Sequence, residues 1–137
     1  MIRITVDTNV LVSATFWYGA SYRIIELVEQ GNVELVLSEA IIQEFSAVLE
    51  YEEIKKKIVN KRLLMLRTVE KLIFMSKIVA PAVKIAVVKE DPDDDKILEC
   101  AVAGDVDYLI SKDNHLLKIV KYGKIKIVSP EEFLKLF

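Results

Sequence analysis

Carboxylates are the side chains of this sequence whose type and spacing could do chemistry. Asp7 directly follows IRITV at 2–6, a short apolar, β-branched run that predicts a buried strand, so it projects from that strand's carboxyl end. Asp113 stands two residues past YLIS at 108–111, a second such strand, and reaches the same edge for the same reason. Glu44 is set by helical spacing beside Ala40, Ile41 and Val48, on the apolar side of its helix. No Lys or Arg occupies 38–50 to pair with it there, which leaves metal binding or a boundary position reaching water. The run Asp91-Pro92-Asp93-Asp94-Asp95 opens a helix. Capping and the helix dipole account for Asp91, Asp93 and Asp94, whereas Asp95 begins the second turn and is explained least by capping.

Four acids converging on one edge repel each other unless something neutralises them. A hard divalent cation does so. The sequence holds one histidine, His115, and one cysteine, Cys100, which excludes a His/Cys zinc site and acid–base chemistry that needs two imidazoles. Oxygen ligands alone point to Mg²⁺ or Mn²⁺. Such an ion keeps waters and accepts phosphate oxygens, which suits hydrolysis of a phosphodiester. Cys100, among Ile97, Leu98, Ala101 and Val102, is expected to be a buried small hydrophobe, and His115 a helix or loop residue rather than a ligand.

The elements that must position these acids alternate between strand and helix. After the first strand, Ile24, Ile25, Leu27 and Val28 form a helical stripe closing at Gly31, and VELVL at 33–37 reads as a strand. Ser38 is placed to cap a helix carrying Ala40, Ile41, Phe45, Val48 and Leu49. Leu63, Leu66, Val69, Leu72 and Ile73 describe a longer amphipathic helix from about 55 to 77, forming a helical hairpin over 38–77. KIAVV at 84–88 and KIKIV at 124–128 are further predicted strands, and Ser129-Pro130-Glu131-Glu132 is a capping-box start for a last helix. This alternation predicts a three-layer α/β/α sandwich around a central parallel sheet, as one domain over 1–137. In such sheets the functional crevice lies outside the carboxyl ends of the strands.

A chain of 137 residues, 53% hydrophobic, can bury a real core. Its apolar runs are only a few residues long and Asp7 interrupts the N-terminus, so neither a membrane span nor a signal peptide is expected, and the cytoplasm is the expected compartment. A net charge of −2 argues weakly against nucleic acid. Its distribution offsets this: Lys55, Lys56, Lys57, Lys61, Arg62, Arg67, Lys71 and Lys77 form a basic segment, either a solvated helix face or a phosphate-facing surface. Trp17 and Tyr18 could stack a base or line a partner groove, or pack on a neighbouring helix or subunit.

VDTNVLVSA, SEAIIQEF, DPDDDKILECA and DYLISKDNHLL, in this order and spacing, resemble the PIN-domain family, in particular the VapC-like ribonucleases that are the toxins of prokaryotic toxin–antitoxin systems. The resemblance implies that Asp7, Glu44, Asp95 and Asp113 are the catalytic metal ligands, with Asp94 a register rival to Asp95. It also implies that Asn9 hydrogen-bonds within the acidic site to support Asp7, and that Ser111 is a supporting hydroxyl. The activity it implies is metal-dependent endonucleolytic hydrolysis of RNA leaving a 5′-phosphate and a 3′-hydroxyl. The partners it implies are a small antitoxin over the crevice and a second copy of the chain in a homodimer.

Three rivals are weaker. A phosphotransfer receiver domain needs an acceptor Asp ending a middle strand, which neither VELVL nor KIAVV supplies. A phosphatase with Asp7 as nucleophile wants a second Asp two residues on, where this chain has Asn9. A catalytically silent PIN-like module for RNA or protein binding is the remaining alternative, and the intact acid set argues against it.

Overall fold

A computed structural model describes residues 1–51, 56, 64–88 and 92–137. Strand β1 (Ile2–Val6) runs into helix α1 (Thr8–Phe16), followed by α2 (Ala20–Glu29), β2 (Val33–Ser38) and α3 (Glu39–Leu49). Helix α4 (Leu64–Met75), β3 (Lys77–Val79), α5 (Pro92–Ala103), β4 (Tyr108–Ile110) and α6 (Asn114–Leu117) come next. The hairpin β5 (Lys121–Tyr122) and β6 (Ile125–Val128) and helix α7 (Pro130–Leu134) complete the described elements.

The strands form one sheet in the order β3-β2-β1-β4-β6-β5, parallel throughout except for the antiparallel β5/β6 pair. Ile4, Thr5 and Val6 of the central strand are all fully buried. Successive strand residues point to opposite faces, so both faces of the sheet are covered, as a parallel sheet requires. On one face, Thr5 meets Cys100 of α5, Oγ1 to Sγ 3.6 Å. Cys100 is thus the expected buried thiol, and burial pushes its pKa up. The core gathers Val10 and Leu11 of α1, Ile24 and Ile25 of α2, Leu98 of α5 and Leu109 of β4, all fully buried. Each such side chain contributes about 1.5–3 kcal/mol.

Three strand assignments differ from expectation. KIAVV at 84–88 is not a strand: the N–H of Ile85 donates to Glu99 Oε2 (2.9 Å), and those of Val87 and Val88 donate to Asp95 Oδ1 (3.0 and 2.9 Å). Donors spent on helix carboxylates cannot pair with a neighbouring strand. The strand on the far side of β2 is instead β3, which pairs Leu37 with Ile78. Only its first residue, Lys77, fell within the expected long helix, and α4 stops earlier, at Met75, where the Ser76 hydroxyl donates back to the Ile73 carbonyl at 2.6 Å. The short β5, returned by Gly123 at φ 59°, was not foreseen.

Of the basic segment, Lys55, Lys57, Lys61 and Arg62 lie outside the described residues, and Lys56, Arg67, Lys71 and Lys77 are exposed. Among the described residues, no helix is long and apolar enough to cross a membrane.

Candidate metal centre

The carboxyl end of β1 delivers Asp7 to the crevice. Its backbone N–H still bonds the Ile110 carbonyl of β4 (3.1 Å), so the residue is held in the sheet while its side chain leaves it. That side chain caps α1: Oδ1 accepts the Val10 N–H at 3.1 Å. Oδ2 accepts the hydroxyl proton of Ser111, which lies fully buried at the end of β4. Ser111 Oγ in turn accepts the Asp113 N–H at 2.9 Å, so one hydroxyl ties the two strand-end acids together. Asp113 is itself the N-cap of α6, with Oδ1 accepting the His115 N–H at 2.8 Å.

Asp7, Thr8, Asn9, Glu44, Asp94, Ile97 and Asp113 line a crevice of about 100 Å³. Four carboxylates from four stretches of chain therefore meet, with Asp94 as the contribution of α5. Asp94 and Asp95 are equally buried, each 8% exposed, but Asp95 is turned to the 84–88 loop, where its Oδ1 holds two backbone N–H groups. The Asp95 register inferred from the sequence is not the one that meets the other acids. In a helix one residue is a rotation of about 100°, enough to separate the two roles.

Two other expectations are corrected in detail. Glu44 is exposed, as is Ala40, because Ile41 and Phe45 take the core-facing stripe of α3. Glu44 reaches the crevice from its rim. Asn9 lines the crevice but is exposed and makes no hydrogen bond to Asp7; that support comes from Ser111 and Val10.

Thr8, passed over in the sequence, and His115, expected there not to be a ligand, join the site. Thr8 is 4% exposed, and its Oγ1 has no hydrogen-bond partner among the described residues, in a wall whose other polar groups are four carboxylates and the Asn9 amide. Its place beside Asp7 in the first turn of α1 was the available signal. His115 lies in the first turn of α6, with Nδ1 3.6 Å from Asp113 Oδ1. Asp94, Asp113 and His115 each offer a ligand atom, all within 4.8 Å of one another. His115 is a helix residue, as expected, and also a candidate ligand.

Burial is the main cause that holds the Asp7 carboxyl above its ordinary range; the Ser111 and Val10 hydrogen bonds pull it down, and the negative charges of Asp113 and Glu44 push it up again. Like charges gathered this closely raise one another's energy, and the hydrogen bonds from Ser111 and Val10 do not bring the Asp7 carboxyl back to its ordinary range. The donor set fits a hard divalent cation: carboxylate oxygens predominate, with one imidazole at the edge.

The sequence profile of the PIN domain matches residues 3–115, a span containing every residue of this crevice. The chain belongs to the PIN-domain family. Solved structures share the fold of this PIN domain at low sequence identity. VapBC2 from Rickettsia felis, solved bound to a DNA fragment from their promoter, superposes with a TM-score of 0.61 at 13% identity, covering 93% of this chain and 98% of that one. PAE2754 from Pyrobaculum aerophilum superposes with a TM-score of 0.56 at 15% identity, covering 98% and 96%. No curated protein matches the sequence at a significant level.

Proposed function

We propose that this PIN domain is a metal-dependent endoribonuclease, the toxin of a toxin–antitoxin pair acting in the cytoplasm. The observation that carries the reading is the meeting of Asp7, Glu44, Asp94 and Asp113 around one small crevice at the carboxyl edge of a parallel sheet. Asp7, Asp94 and Asp113 would hold Mg²⁺ or Mn²⁺, with Glu44 closing the rim. When bound, the cation supplies charge neutralisation at the phosphate and lowers the pKa of a bound water.

The chain's own groups do the rest. Ser111 fixes the carboxylate plane of Asp7, and the α1 N-cap bond keeps the Asp7 side chain from rotating away. Thr8 offers its unsatisfied hydroxyl to a phosphate oxygen or to the attacking water. In the reaction, water attacks phosphorus, the bond to the 3′-oxygen breaks, and that oxygen takes up a proton, leaving a 5′-phosphate and a 3′-hydroxyl. Support for the toxin assignment comes from the motifs that resemble VapC-like ribonucleases and from the fold shared with VapBC2. By that likeness a small antitoxin occludes the crevice, and the domain, one unit over 1–137, works as a homodimer.

The test is cleavage of 5′-labelled single-stranded RNA across Mg²⁺ and Mn²⁺ titrations. Cleavage should require the metal and disappear in Asp7→Asn with the circular dichroism spectrum unchanged. RNA left intact by the wild-type protein at every metal concentration would favour the catalytically silent module instead.

A further inference from the structure

Helix α1 leads away from the crevice, and its far end carries an aromatic ring. Trp17 is the C-cap of α1, with its N–H bonded to the Ser13 carbonyl at 3.0 Å. Its ring is braced edge-on by Phe16, centroids 5.9 Å apart, while Phe16 itself is buried. Trp17 is nevertheless 51% exposed. It lines a second depression, of about 400 Å³, together with Ser13, Lys112 and Glu131.

Lys112 joins this depression to the crevice. It stands between Ser111 and Asp113, both part of the acidic site, and its ammonium donates to Ser13 Oγ at 3.2 Å. Ser13 is one helical turn beyond Asn9, which lines the crevice. Eight residues of helix separate Asn9 from Trp17, about 12 Å at 1.5 Å per residue, a gap that an extended strand crosses in a few nucleotides.

We infer that the Trp17–Lys112 depression is a nucleobase subsite for single-stranded RNA, in which one base stacks on the indole and Lys112 pairs with a neighbouring phosphate of the strand entering the crevice. An exposed, edge-braced indole suits stacking, which every base permits through its π-face. A base in a duplex is already stacked on its neighbours, so the subsite selects unpaired nucleotides. Glu131, exposed in the first turn of α7, adds a carboxylate to the same depression and opposes the phosphate. The inference rests on the nuclease reading, and its test is kept separable from it.

Trp17 is the only tryptophan of the chain, so its fluorescence reports this subsite alone. The protein in EDTA is titrated with a single-stranded oligouridylate and with a duplex RNA of equal length, and binding is followed in parallel by anisotropy of a labelled strand. Saturable quenching by the single strand and little by the duplex is expected. Trp17→Ala should weaken binding about tenfold or more, with Trp17→Phe recovering most of it. Lys112→Ala should lower the slope of log affinity against log salt by about 0.7, and Glu131→Gln should tighten binding. Binding without quenching, unchanged affinity in Trp17→Ala, absence of any binding, or quenching produced only by a protein partner would each overturn the subsite. Metal-dependent cleavage without stacking leaves the nuclease reading standing, and stacking without cleavage leaves the subsite standing.

Discussion

Asp94 and Asp95 are adjacent, equally buried and chemically identical, yet Asp94 lines the crevice while Asp95 holds the 84–88 loop. Asp94→Asn should weaken Mn²⁺ binding about tenfold or more by isothermal titration without lowering the thermal midpoint of the metal-free protein, since it removes one of the mutually repelling charges. Asp95→Ala should do the opposite. It strips the buried Val88 N–H and the part-buried Val87 N–H of their carboxylate acceptor, costing about 2 kcal/mol in urea denaturation, with metal affinity largely kept. Asp7 supplies a pH prediction. Its folded pKa is raised, so the folded state holds the proton more tightly than the unfolded one. This contribution to stability is complete below the ordinary carboxylate range and is lost as pH rises through the folded value. In EDTA, Asp7→Asn should therefore melt above wild type at neutral pH, and the gap should close on acidification. Asp7 and Asp113 were legible because strand ends declare themselves in sequence. Asp94 was not, because the choice between it and Asp95 is made by the 84–88 loop, a tertiary partner with no local signature.

At the level of elements, periodicity located β1, β2, β4 and β6 and the longer helices between them, since each buries an apolar stripe or run, but not the short α6. It failed between two β-branched runs, 77–79 and 84–88. Either could fill the sheet edge, and only the competing carboxylates of Glu99 and Asp95 decide which is left out. The seat of α5 against β2 has a sharper requirement. A Cβ at Gly104 would stand 2.4 Å from Val36 Cγ1 and 3.3 Å from the Cys100 carbonyl. Val36 is fully buried and stiff about χ1, so it cannot swing aside. Gly104→Ala should cost about 1–3 kcal/mol in urea denaturation. Because α5 carries Asp94, the same substitution should also lower metal affinity, whereas Gly19→Ala, whose Cβ meets nothing within 4 Å, should change neither.

Across the whole molecule, binding of a cation by the folded state alone is coupled to folding. Mn²⁺ at 100 times its dissociation constant should stabilise the protein by about 2.7 kcal/mol, seen as a rise of several degrees in Tm by scanning calorimetry. Asp94→Asn should lose most of that rise at the same concentration. The basic segment shows where sequence reading stopped at this scale. Charge counts gave its sign, but which lysines face a phosphate depends on how the segment packs, and half of those residues lie outside the described ones. The crevice draws its acids from residues 7, 44, 94 and 113, so any product that ends before residue 113 lacks part of it. On the toxin reading proposed above, a frameshift or stop at almost any codon before the last of these would yield a harmless product. A cell burdened by such an enzyme would have a wide mutational exit, and intact copies would persist only where something restrains them.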